Sequence, residues 1–190
     1  MCVTQVTLNA VQYPAQTAPA STSVTLLASV PGGQFRACTS LDVDFLRCLY
    51  ASTRAQEFDQ AGWPEGCLDL FLSQQFASQA AYYAQVFPEA LHGILEENGQ
   101  PFGRMILCSM PGELRLVDIS LLPSHHNRGL GGAWMTAFLA KAQEMGVEAT
   151  LHVQVFNPAC RLYERLGFVP VEGGDEVYQK MRWVLNRDAS

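Results

Sequence analysis

Polar and apolar residues alternate along this chain in two rhythms, and the change of rhythm marks its elements. Three runs, 91–96, 102–109 and 113–122, are rich in Leu, Ile, Val and Phe and are separated by Asn98-Gly99 and Pro111-Gly112. Dipeptides of that kind favour tight turns, so the pattern predicts an antiparallel meander of three strands. Before it, Val43, Leu46, Leu49 and Tyr50 share one side of a helix that Ser40 or Asp42 can cap. A turn at Trp63-Pro64-Glu65-Gly66 leads to a longer helix marked by Leu68, Phe71, Leu72, Phe76, Ala80 and Tyr83, ending near Phe87-Pro88. A first strand is expected at 34–38. The segment 1–32, rich in Thr, Ala, Ser, Gln and Pro, reads as an extension with one extra strand at 23–30, and residues 33–190 read as a single domain.

Past the meander the rhythm returns to 3.6. Leu130, Trp134 and Phe138 recur at i, i+4 and i+8, with Met135, Leu139 and Ala142 beside them. Between strand and helix stands Leu121-Leu122-Pro123-Ser124-His125-His126-Asn127-Arg128-Gly129-Leu130-Gly131-Gly132. Unpaired N–H groups and the positive end of a helix dipole meet in such a turn, and glycines let an anion approach the main chain. Arg128 adds a positive charge. Neither a Walker loop nor a dinucleotide fingerprint fits, because Ala133-Trp134 follows Gly132 where those motifs need Lys-Ser/Thr or a third glycine. A further strand is expected at 148–156, parallel to 113–122 after a right-handed crossover. Asn157 and Pro158 then open a short helix that Gly167 stops, and strands at 168–172 and 177–185 complete the sheet.

Two of these segments together resemble the GCN5-related N-acetyltransferase (GNAT) family. Its phosphate signature, Gln or Arg, two residues, Gly, one residue, Gly or Ala, is met by His126-Asn127-Arg128-Gly129-Leu130-Gly131, with His126 in the first place. Its second signature is filled by Asn157, Ala159, Leu162, Tyr163, Gly167 and Phe168, and the likeness extends loosely from about Gln34 to Trp183. The resemblance implies an α/β fold: a mixed, mostly antiparallel sheet of about six or seven strands, helices on both faces, and a parallel splayed pair at a coenzyme A site. It implies acetyl-CoA as co-substrate, held by Leu121, His126, Asn127, Arg128, Gly129, Leu130, Gly131, Gly132 and Asn157. The pantetheine arm would lie between the splayed strands, with the main chain near Leu121 polarising the thioester carbonyl.

Direct transfer needs a deprotonated amine, so some group must accept its proton. Asp118 interrupts an apolar strand three residues before Leu121, where burial would raise its pKa and make it a base; Glu57 is the second candidate. Asp118 could equally hydrogen-bond a neighbouring loop and only organise the site. Tyr163 is the expected general acid toward the departing thiolate. Gln75, Phe76, Tyr82 and Tyr83 are candidates for an acceptor pocket, although Phe76 and Tyr83 at helical spacing also suit a core. Cys160, with no local histidine, reads as a structural thiol, and the adjacent His125 and His126 do not read as a metal site.

Composition narrows the partners. With 12 Lys+Arg against 18 Asp+Glu and a net charge of −6, nucleic acid is not expected. Six scattered cysteines, no long apolar run and no signal-peptide pattern point to a cytoplasmic protein that contacts no membrane. The expected reaction is N-acetylation of a primary amine on a small or amino-acid-like acceptor. Alternatives are a protein or peptide acceptor, or a non-catalytic acyl-CoA sensor. The long helix or last strand could serve a homodimer.

Overall fold

The computed structural model describes residues 29–30, 32–58, 63–64 and 66–185, with side chains at all of these except 29 and 55–58. Among these residues eight strands form one sheet: β1 (Ser29–Val30), β2 (Gly33–Ala37), β3 (Leu91–Glu97), β4 (Gln100–Met110), β5 (Glu113–Leu121), β6 (Glu148–Gln154), β7 (Val169–Val171) and β8 (Tyr178–Trp183). Their order is β1-β2-β3-β4-β5-β6-β8-β7. Among the described residues only β5 and β6 run parallel, and every other neighbouring pair is antiparallel. The expected mixed, mostly antiparallel sheet is therefore present, with the two-residue β1 as an eighth strand. Of the expected extension, residues 1–28 and 31 lie outside the described residues.

Among the described residues four α-helices cover the sheet: α1 (Val43–Phe58), α2 (Cys67–Val86), α3 (Leu130–Glu144) and α4 (Cys160–Arg165). Strand alternation sorts them to two faces. Met105 and Leu107 of β4 and Leu95 of β3 join Trp134, Met135, Phe138 and Tyr163 in the core under α3 and α4. Ile94 instead meets Leu46, Leu49 and Phe76 of α1 and α2, and Ile106 packs with Ala90 and Cys108 on that same side. The first helical turn is capped by neither Ser40 nor Asp42. Thr39 takes that place, its Oγ1 accepting from the Leu41 N–H at 3.3 Å while the Asp42 carboxylate accepts from the Thr39 N–H at 2.8 Å. Arg36 locks the arrangement from β2 through 2.6 and 2.8 Å bonds to Asp42. Among the described residues no helix is long and apolar enough to cross a membrane.

Val117 disturbs the sheet. Ile106 faces Asp118 and Leu107 faces Leu116, so Val117 is an extra residue on β5, a bulge that bends the strand. Pairing with β6 ends at the same place: it runs from Glu113–Glu148 to Leu116–Leu151 and goes no further. Beyond it β5 continues against β4 and β6 against β8, and a gap opens between them.

His92 of β3 is buried on the α1/α2 face, opposite Ile106. Burial lowers its pKa to about 4, the Arg104 guanidinium adding to the effect and the Asp118 carboxylate opposing it. As pH falls below the ordinary histidine value near 6.5, the unfolded chain takes up a proton here that the folded protein refuses until about 4. This contribution to stability is thus whole above about pH 6.5 and lost toward pH 4, by up to about 3 kcal/mol. Urea midpoints measured across that window should fall steeply for the native sequence and less steeply for His92→Leu.

Candidate active site

The gap between β5 and β6 is the mouth of a cleft of about 380 Å³. Leu116–Leu121 and Leu151–Gln154 form its walls, Asn157 and Tyr163 lie toward α4, and Thr53, Arg54, Gln79 and Tyr83 reach it from α1 and α2. His126 and Tyr178 complete the lining. The cleft therefore passes through the sheet from one helical face to the other.

At the α3 end the chain folds as the glycine pattern suggests. A single 3₁₀ turn, Pro123–His125, leads into Asn127 at φ 57° and Gly129 at φ 78°, the latter serving as N-cap of α3. That left-handed conformation costs a side chain roughly 1–2 kcal/mol, so glycine suits position 129. Among the described residues, none supplies a main-chain partner for the N–H groups of Leu130, Gly131 and Gly132, the first turn of a 15-residue helix. Arg128 sits beside them, its guanidinium 3.4 Å from the Glu97 carboxylate. The two adjacent histidines do different work. His125 stacks on Phe102 at 4.7 Å, and His126 Nε2 lies 2.9 Å from the Leu121 carbonyl oxygen.

Tyr163 lines the cleft from α4, its ring packed edge-on against Phe168 at 5.9 Å. Burial pushes its phenol up to about 12, and the nearby Asp118 carboxylate and Cys160 add to the shift. The helix that carries it starts at Cys160, later than the expected Asn157-Pro158 opening, with Ala159 as N-cap and no side-chain cap, because residues 157–159 form a separate turn before it. Asn157 Oδ1 accepts from the Ala159 N–H at 2.9 Å, and the Phe168 N–H to Tyr163 O and Gly167 N–H to Glu164 O bonds, both 3.0 Å, close its C-terminus in a Schellman turn. Cys160 Sγ, half-buried, lies 3.5 Å from Gln154 O and 3.4 Å from Gln179 Nε2.

Asp118 lines the cleft on the α1/α2 face, and it is not an isolated carboxylate. Arg104 Nε donates to its Oδ2 at 2.9 Å, Ser120 Oγ donates to the same oxygen at 3.1 Å, and Arg104 Nη2 donates to Gln79 Oε1 at 3.0 Å. Sequence reading missed Arg104 and Gln79. The available signal was a lone arginine in the apolar run 102–108, one strand away from a lone aspartate. Of the other expected acceptor-side residues, Tyr83 lines the cleft, Phe76 lies in the core, and Gln75 and Tyr82 face solvent. Glu57 falls in the last turn of α1, where its side chain lies outside the described residues. Among the described residues there is no group of three or more His, Cys, Asp or Glu side chains placed to hold a metal ion.

Comparison with known proteins agrees with this geometry. Residues 49–168 match the acetyltransferase (GNAT) family. A [ribosomal protein bS18]-alanine N-acetyltransferase of Haemophilus influenzae is 32% identical over 87 residues, 45% of this chain, and the chain spans 60% of the length of that curated relative. Among solved structures, an acetyltransferase from Thermus thermophilus superposes with a TM-score of 0.60 at 18% identity, covering 80% of this chain and 96% of that one. The PaiA N-acetyltransferase of Thermoplasma acidophilum, solved with coenzyme A, gives 0.59 at 15% identity over 79% and 97% of the two chains. With more than half of its length matched, this chain belongs to the GNAT family.

Proposed function

We propose that the protein transfers an acetyl group from acetyl-CoA directly to a primary amine of a small or amino-acid-like acceptor. The observation that carries this reading is the cleft itself, which runs from His126, in the turn before α3, to Tyr163 and a polar acceptor side; among the described residues the first N–H groups of α3 beyond that turn have no main-chain partner. The coenzyme's pyrophosphate lies against the N–H groups of residues 127–132 and Arg128, its arm between β5 and β6, and Asn157 at the arm's edge. The glycines support this. A Cβ at Gly131 or Gly132 would meet Leu162 at 3.7–3.8 Å, ordinary contact, so packing within the protein does not demand glycine there. Glycine in a helix costs roughly 1 kcal/mol relative to alanine, and close approach of a ligand accounts for retaining it.

On the acceptor side, Asp118 holds the ammonium and takes its proton, directly or through water, while Arg104 and Gln79 fix its position. The amine nitrogen attacks the thioester carbon, the C–S bond breaks with sulfur departing as a thiolate, and the second proton now carried by the nitrogen passes through water to that thiolate or to solvent. Tyr163 donates a hydrogen bond to that sulfur. With its phenol near 12 and an alkyl thiol near ~8.5, full transfer of the proton would be uphill by roughly 5 kcal/mol, so charge stabilisation is its main contribution. A polypeptide amino terminus is the second reading, favoured by the 32% identical relative that acts on an alanine of a ribosomal protein.

Three measurements test this. Free-thiol release from acetyl-CoA should appear with one class in a panel of amino acids, small amines, polyamines and short peptides; no release with any of them, despite coenzyme binding, would make the protein a sensor. Tyr163→Phe should lower kcat about 10- to 100-fold while the acetyl-CoA dissociation constant stays within about threefold. Changing Gly131 and Gly132 together to Ala should leave the fold as stable or up to about 2 kcal/mol more stable, yet weaken coenzyme A binding at least tenfold by calorimetry.

A further inference from the structure

Leu121 ends β5 at the edge of the gap. The Leu122 N–H donates to Phe102 O at 2.8 Å, and Leu121 stands opposite Gly103. In an antiparallel ladder successive residues turn their main-chain groups to opposite sides, so the N–H and C=O of Leu121 both point away from β4, toward the gap. A strand edge left in that state offers a donor and an acceptor side by side. An acyl carbonyl needs only the donor, and a bare carbonyl next to it would repel the thioester oxygen or recruit water.

We infer that His126 is a positioning residue, whose imidazole closes the carbonyl of Leu121 and leaves the end of this edge, at residue 121, a hydrogen-bond donor alone. A carbonyl oxygen can only accept, so the 2.9 Å contact fixes the Nε2–H tautomer of His126. The same bond ties the first residue of the phosphate turn to the last residue of β5. The turn is closed again by the His126 N–H to Pro123 O bond at 3.1 Å and by His125 stacked on Phe102. An anion seated on α3 therefore sits at a fixed distance from the Leu121 N–H. His126 then acts on the acyl end of the cleft and not on the phosphates. This assignment rests on the acetyl-transfer reading for its catalytic consequence, but the strap itself is a property of the protein alone.

The experiment separates the two. In His126→Ala, turnover of acetyl-CoA should fall about tenfold while the dissociation constant for ADP, which carries the diphosphate without the arm, stays within twofold. His126→Gln, whose amide can donate over a similar reach, should restore most of the turnover. Amide hydrogen exchange at Leu122 in the ligand-free protein should quicken at least tenfold in His126→Ala and little in His126→Gln. Unchanged turnover and exchange in His126→Ala would overturn the inference, as would a loss of ADP affinity equal to the loss of turnover, which would make His126 a phosphate contact. If the native protein shows no turnover with any amine, the functional reading fails, and the exchange comparison still decides whether the strap exists.

Discussion

The loss of pairing between β5 and β6 beyond Leu116 and Leu151 is the constraint on which the rest of this molecule turns. Two parallel strands in the middle of a sheet would ordinarily share hydrogen bonds along their whole length, because an unpaired buried peptide group costs about as much as a lost hydrogen bond. Here the extra residue at Val117 bends β5 away, and each strand keeps only its outer partner. The exposed inner edges become useful when a ligand with amide and carbonyl groups of its own lies between them. The sheet thus carries an incomplete ladder, open between β5 and β6 beyond Leu116 and Leu151.

The bulge also decides which chemistry faces which side. Leu114 and Leu116 point into the core under α3, and unbroken alternation would send residue 118 after them. One added residue turns Asp118 to the opposite face, where Arg104, Ser120 and Gln79 meet it. Burying that ion pair gains little net stability, since desolvation offsets most of the attraction, whereas removing one partner would strand a buried charge. Its value is positional. Through Arg104 and Gln79 it fastens α2 to the bent strand, so the helix beside the cleft is tied to the carboxylate of Asp118.

Much of this was legible along the chain because it is local. The turn at 126–132, the Asn157 and Gly167 punctuation of the short helix, and the apolar periods of β3, β4, β5 and α3 are each specified by residues within a few positions of one another. What escaped depends on register between distant segments. Asp118 read as a lone buried carboxylate because its partner Arg104 lies 14 residues away, across a turn and beside a bulge that no sequence rule marks. The contact of His126 with Leu121 O escaped for the same reason: it reaches back to the strand before the turn, while the motif around it speaks only of phosphate. Thr39 caps the 3₁₀ turn that leads into the first helix, and Asp42 is its reciprocal partner, held in place by Arg36 from β2, a contact between separate elements that local sequence does not mark.

An acidic chain built to hold an anionic coenzyme poses a problem of range. The net charge of −6 repels phosphates at a distance, but at physiological salt that field fades over about 8 Å. Within the turn the balance is different. Main-chain N–H groups at the start of α3 sit at contact distance from any bound oxygen, and no water has to reorganise to supply them. Glu97 offsets Arg128 across 3.4 Å, an exposed pairing worth little, so a diphosphate can draw the guanidinium away at small cost. With the diphosphate seated there as proposed, affinity for the coenzyme is a short-range property of one turn, set by contact with its N–H groups and little affected by the charge of the body that carries it.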